Sequence, residues 1–280
     1  MNFIAPQARE TQAQRAQGTL VLGFKRLGAA TRIETFFQQG ALRARLPRPQ
    51  DPTLCEAVTL NLSGGVAGGD RLETVVTLAP GTRTILASQA AERIYRSAGP
   101  AARIRTRLTL QDGALLDYLP QETILFDRFA LDRALEIDLH GDAEFVGAEA
   151  LVFGRRAMGE TVRFGALRDL VQVRRDGRLV LQDMTRLEGD IAAQLQRRAV
   201  AGKAGAAASL ILAGPKAAQK LDALRAVLHA APDIVAGASA FEGIIFARLL
   251  APDGASLRHC LLPALEACRE GRKLPLVWQG

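Results

Sequence analysis

From Leu20 to Asp183 the chain returns repeatedly to one pattern, short runs in which apolar and polar residues alternate with period two. Alternation of that period sends successive side chains to opposite faces and marks half-buried strands. Leu20, Leu22 and Phe24 alternate, as do Leu42, Ala44 and Leu46, then Ala57 to Leu62, Leu72 to Leu78, Thr82 to Ser88, Ile104 to Leu110 and Phe145 to Val152. Pro47, Pro49 and Pro52 and frequent glycines cut the runs short, which favours many short strands over a helical bundle. Leu179 to Asp183 returns from a turn at Asp176-Gly177, the signature of a hairpin.

The densest interruption is Ser63-Gly64-Gly65-Val66-Ala67-Gly68-Gly69-Asp70-Arg71-Leu72, with four glycines in six residues. Glycine reaches positive φ freely and lets other groups approach the main chain, so the loop is either a tight turn or a surface against which something packs. Strand-like residues stand on both sides of it. A phosphate cradle needs a helix start after the glycines, and a P-loop also needs a Lys-Ser/Thr pair; neither is present, so nucleotide binding is excluded. The plain reading is a glycine-rich hairpin connection, and the feature that asks for more is Asp70 at its exit.

A net charge of +7 suggests nucleic acid until it is located. Residues 1 to 50 hold eight basic residues against Glu10 and Glu34, and the rest of the chain is close to balanced. With two Tyr and one Trp there is little to stack on bases, so a basic edge that steers an acidic protein partner is the better reading. Three cysteines, Cys55, Cys260 and Cys268, form neither a disulfide framework nor a Cys-x-x-Cys knuckle. The first residues lack an apolar signal core, and the longest apolar run, Ala206 to Gly214, is far short of the ~20 residues of a membrane span. A soluble cytoplasmic protein with no membrane partner is expected. Residues 1–17, rich in Gln and Ala and without pattern, are expected to be a disordered tail.

Between Asp112 and Glu149 ten carboxylates face only Arg128 and Arg133. They fit a paired-carboxylate hydrolase, a hard-cation site or solvated strand edges. The Arg103, Arg105 and Arg107 row reads as a solvated strand face. In the last third, Pro215 opens a helix with Ala217, Leu221, Leu224 and Leu228 on one stripe, and a second helix spans about Ser256 to Arg269. The histidines His140, His229 and His259 have no neighbours that would make a nucleophile–base pair or a transition-metal site. Two classes remain, a non-catalytic scaffold and a carboxylate-based hydrolase, and the lack of an assembled constellation favours the scaffold.

Four motifs stand in order: Gly64-Gly65-Val66-Ala67-Gly68-Gly69-Asp70-Arg71-Leu72, Ile94-Tyr95-Arg96-Ser97, Leu119-Pro120-Gln121-Glu122-Thr123-Ile124 and Gly154-Arg155-Arg156-Ala157-Met158-Gly159-Glu160. With the ending Leu274-Pro275-Leu276-Val277-Trp278, they resemble the UreD/UreH family of urease accessory proteins over residues 18–280. Arg93 before Ile94 and Leu276 after the closing proline depart from the family pattern. The resemblance implies one mainly β domain over 18–280, a β-helical stack of short strands with about two α-helices in the last third. It implies a non-catalytic maturation protein that binds urease structural subunits and the UreF and UreG accessory proteins, without a tightly bound cofactor. It further implies an internal route for nickel, for which Asp70, Glu149 and Glu160 are the candidate acids, each with small neighbours. Gly64, Gly65, Gly68, Gly69, Tyr95, Arg96, Pro120, Gln121 and Arg155 are then structural members of the motifs.

Overall fold

The computed structural model describes residues 15–155 and 159–279. Its strands are β1 (Gln17–Leu27), β2 (Ala30–Gly40), β3 (Leu42–Arg45), β4 (Cys55–Asn61), β5 (Arg71–Leu78), β6 (Arg83–Ser88), β7 (Glu92–Ile94), β8 (Ala102–Leu110) and β9 (Leu115–Leu119). They continue as β10 (Thr123–Leu125), β11 (Phe129–Leu139), β12 (Glu144–Phe153), β13 (Phe164–Arg175) and β14 (Arg178–Asp190). The last third holds α1 (Ile191–Gln196), β15 (Ala206–Ala213), α2 (Leu221–Ala230), β16 (Val235–Phe241), β17 (Ile244–Ala251) and α3 (Gly254–Cys268).

Two sheets share these strands. Sheet A runs β14-β13-β11-β8-β5-β1-β2, and the main path of sheet B runs β16-β17-β15-β12-β9-β6-β4-β3. From β4 to β13 the chain alternates between them, and β4, β6, β9 and β12 in sheet B are parallel, as are β5, β8, β11 and β13 in sheet A. Each turn of the coil thus lays one strand on each sheet, which is the β-helical stack that the resemblance implied. Antiparallel partners close the ends: β2 on β1, β14 on β13, β3 on β4 and β15 on β12.

The period-two pattern explains the layers. Leu20, Leu22 and Phe24 of β1 and Leu108 and Leu110 of β8 turn inward from sheet A, meeting Ala57, Leu116 and Phe145 of sheet B in the coil's interior. The other face of sheet B, with Ile85, Leu119, Val146 and Leu210, is covered by Leu224 and Leu228 of α2, by Leu257, Leu261 and Leu265 of α3, and by Trp278. The outer face of sheet A carries charge. There Arg105 pairs with Asp132 at 2.6 Å and Arg107 with Glu73 at 2.6 Å, so the arginine row is matched by acids on the neighbouring strands.

Three sequence readings need correction. The glycine loop does not close a hairpin, because β4 and β5 lie in different sheets and the loop carries the chain across the coil. The helix expected from Pro215 starts as a 3-10 turn at Ala217–Lys220 and becomes α-helical only from Leu221. Of the tail expected over 1–17, residues 1–14 lie outside the described residues; Gln17 is already in β1 and the Ala16 N–H donates to Asp70.

Candidate functional site

The four motifs, far apart in sequence, occupy one corner of the coil. Val66 of the glycine loop pairs with Ile94 of β7, Ile94 with Leu125 of β10, and Leu125 with Phe153 at the end of β12. All four side chains are buried, forming an apolar stack one residue wide at each turn. Gly65 lies under the Tyr95 ring at a φ of +142°, and a Cβ there would stand 2.4 Å from Tyr95 Cε2 and 2.9 Å from the Arg93 carbonyl oxygen. At Gly68 the demand is close approach: a Cβ would meet Ser97 Oγ at 1.8 Å. The Tyr95 hydroxyl donates to the Gly64 carbonyl, the Tyr95 ring meets Phe126 at a tilt with centroids 5.1 Å apart, and the Arg155 guanidinium lies over the Phe126 ring at 4.8 Å.

Behind this corner three charged side chains point into the coil. On β11 the inward set is Phe129, Leu131, Arg133, Leu135, Ile137 and Leu139; on β12 it is Phe145, Gly147, Glu149, Leu151 and Phe153; on β13 it includes Leu167, Asp169, Val171 and Val173. Each strand therefore places one charge in its apolar phase. Arg133 Nε and Nη2 donate to the two Asp169 carboxylate oxygens at 2.8 and 2.6 Å, and Nη1 reaches Glu149 and, at 3.0 Å, the Thr123 hydroxyl. Burial works against the Arg133 charge, and Asp169 and Glu149 outweigh it, holding the guanidinium protonated. Burial likewise pushes the Glu149 carboxyl above its ordinary range, with Arg133 pulling against it. The Tyr118 phenol is raised well above its usual value by burial and then by the Glu149 charge, to which it is hydrogen-bonded.

The triad separates two cavities. The larger, about 380 Å³, is lined by Arg133, Glu149, Tyr118 and Thr123 and reaches Gly64, Gly65 and Glu92 at the motif corner. The smaller, about 90 Å³, is lined by Glu149, Asp169, Leu187 and Leu195 and reaches Asp183 and Arg248. Glu149 belongs to both walls. Near the first, Asn61 Nδ2 donates to both Glu92 oxygens at 3.2 and 3.1 Å, and burial raises the Glu92 carboxyl. Beside the second, Arg248 pairs with Asp183 across the two sheets.

The three acids singled out in the sequence are not brought together. Asp70 is buried as a loop clamp, its carboxylate accepting the N–H groups of Ala16 at 2.8 Å and Ala67 at 2.7 Å. Glu160 lies on the outer corner and pairs with Arg155 at 3.1 Å. Only Glu149 of the three lines the cavities, and its room does not come from Ala148 and Ala150, which as strand neighbours point to the opposite face. Arg156, Ala157 and Met158 of the fourth motif lie outside the described residues.

The remaining motif residues hold the frame. Arg96 bridges to Phe129, and Pro120 lines the larger cavity. Gln121 Nε2 donates to the Val277 carbonyl at 2.7 Å while its oxygen accepts from Arg258, which stacks on Trp278 at 4.9 Å. Arg133 and Asp169 escaped the sequence reading. The available signal was a charge at an apolar position of an alternating strand, since such a residue must face the interior and must find a partner there.

Among the described residues no three His, Cys, Asp or Glu side chains come together in a group that would hold a metal ion, and no helix is long and apolar enough to cross a membrane. The arrangement offers no nucleophile–base pair. It offers two interior cavities with mainly apolar walls, between which Glu149 and Asp169 share the Arg133 cation. A family model described as the UreD urease accessory protein matches residues 16–279. The chain is 42% identical to a urease accessory protein UreD of Rhizobium leguminosarum bv. viciae, over 97% of this chain and 98% of that one. It is 45% identical to a urease accessory protein UreD of Methylobacterium sp. (strain 4-46), over 95% of each.

Proposed function

The chain belongs to the UreD family of urease accessory proteins, and from that premise we propose that it is a non-catalytic scaffold for urease maturation, passing nickel through its interior past Glu149. As a urease accessory protein it is not an enzyme, and its partners are those of urease assembly. In this reading it works in the cytoplasm, holds the urease structural subunits on one side and UreF on the other, and receives nickel from UreG by way of UreF.

The observation that supports internal passage is the position of Glu149 in the walls of both cavities. A carboxylate binds Ni²⁺ less tightly than imidazole or thiolate, which suits an ion that has to move on. Asp70 and Glu160 serve the same route indirectly, by fixing the glycine loop and the outer corner through which the larger cavity is framed. The hydrolase alternative loses its basis, because the interior acids share Arg133 with each other.

The test is Glu149→Gln, co-expressed with urease and its accessory proteins. The expected result is an intact assembly whose urease holds at most about half the nickel per active site, a readable difference for one lost ligand among several. Asp70→Asn, by contrast, is expected to lower assembly and nickel together. Loss of assembly in step with nickel for Glu149→Gln removes the transit role and leaves a structural one.

A further inference from the structure

A third cleft lies on the side of sheet B away from the interior, between the start of β4 and the segment that follows α3. It measures about 360 Å³, and Leu54, Ile85, Leu274 and Pro275 form its apolar walls. Glu56 also lines it. Only 7% of Glu56 remains exposed, yet its carboxylate enters no hydrogen bond or ion pair with the described residues. Its oxygens open on the cleft among apolar walls and have no partner among the described residues, so a group entering the cleft meets the carboxylate directly.

The neighbouring charges explain why Glu56 stays unpaired. Register sets Glu56, Ile85 and Asp117 side by side on β4, β6 and β9, facing the C-terminal segment. The fully buried Asp117 takes Arg269 and Arg272 through four bonds of 2.9 to 3.1 Å. Arg269 also donates to the carbonyls of Arg272 and Lys273, so it reaches Glu56 only through its field. Burial pushes the Glu56 carboxyl upward and Arg269 opposes this. The rim acids are engaged as well: Asp51 accepts from Thr53, and Glu270 pairs with Lys220 at 2.8 Å.

We propose that this cleft binds one guanidinium or ammonium group carried on an aliphatic stem. Of the two basic residues that also line the cleft, Arg272 is held by Asp117 and Lys273 is exposed at the rim, so Glu56 is the charge a guest meets among the apolar walls; a neutral apolar guest would desolvate it and an anion would be repelled by it. A guanidinium presents two parallel N–H donors to a carboxylate, while its stem is covered by Leu54, Ile85, Leu274 and Pro275. The volume falls in the range of about 300–1,000 Å³ typical of ligand sites. The group can come from an arginine or lysine side chain of a protein partner or from a small free amine or guanidine. The site is on the opposite face of sheet B from the triad and does not depend on nickel passage.

The experiment titrates the full-length protein with Nα-acetyl-arginine methylamide while methyl NMR signals of Leu54, Ile85 and Leu274 are followed. Its citrulline counterpart, which has the same shape without the charge, and guanidinium chloride at matched ionic strength are run in parallel. Saturable shifts with the arginine probe are expected, together with no response to citrulline and an affinity loss of at least about tenfold in Glu56→Gln. Gln50→Trp, at an exposed position lining the cleft, is expected to block binding without touching the buried charges, and it carries the test if Glu56→Gln does not fold. Both sources uphold the site: tighter binding of the arginine probe than of guanidinium assigns a protein side chain, and equal binding assigns a free small cation. An equal response to citrulline, unchanged affinity in the variants, or no saturation with any probe overturns the proposal.

Discussion

Gly65 and Gly68 are the residues on which the motif corner turns, for different reasons. Gly65 combines a φ of +142° with a ring and a carbonyl against its missing side chain, whereas Gly68 has an ordinary φ and no room. Gly65→Val is expected to cost about 2–4 kcal/mol, since backbone strain and overpacking add. Gly99→Val, where nothing lies within 4 Å, is expected to stay within about 0.5 kcal/mol. Urea unfolding of the two variants decides this, and equal midpoints would reduce the loop to a permissive connection. At this scale the sequence exposed the glycines but not the polar interior. Arg133 and Asp169 look like ordinary surface charges, and Glu149 stands out only through the resemblance, until their strands' phases are aligned, and that alignment depends on which sheet each strand joins.

At the scale of elements, the parallel strands of sheet A are joined on their outer face by matched charges. Asp132 on β11 accepts from Arg105 of β8 at 2.6 Å and from Arg168 of β13 at 3.0 Å. Burial resists its ionisation, but the two arginines prevail and hold the carboxyl below its ordinary value of 3.8. A depressed folded-state pKa contributes stability that is present above 3.8 and lost as pH falls through the folded value. Asp132→Asn is therefore expected to be less stable by about 1 kcal/mol at neutral pH, with the gap closing as acid is added. Urea midpoints of both proteins from neutral pH downward measure it, and a gap independent of pH refutes the assignment. Most strands were visible as alternation, because one face of each is polar or meets a different layer. Among the elements not assigned are β11, where Asp132, Arg133 and Glu136 interrupt the apolar signal; β15, which is apolar on both faces because the interior and α3 cover it; β7 and β10, of three residues each; and α1, too short for a helical period.

Over the whole molecule, the coil encloses its interior between the two sheets, with sheet A open to water on its outer face and sheet B sealed beneath α2, α3 and the C-terminal segment. The two cavities reach outward at the corner made by the motifs and on the far side near Asp183 and Arg248. Leu116 of β9 also faces the interior, yet it is fully buried in packed side chains and lines neither cavity. A cysteine at each position compares a cavity-lining site with a packed one. Glu149→Cys leaves Arg133 paired with Asp169, so no uncompensated charge is stranded. Reaction with a small cationic thiol reagent, followed at each cysteine by peptide mass spectrometry, is expected to be at least about tenfold faster at position 149 than for Leu116→Cys, because packed cores open only by local unfolding. The native Cys260 and Cys268, both buried between sheet B and α3, supply the internal standard for slow labelling. Equal slow rates at 149 and 116 would mean that the cavities are closed to solvent, and an interior route for any ion would fall with them.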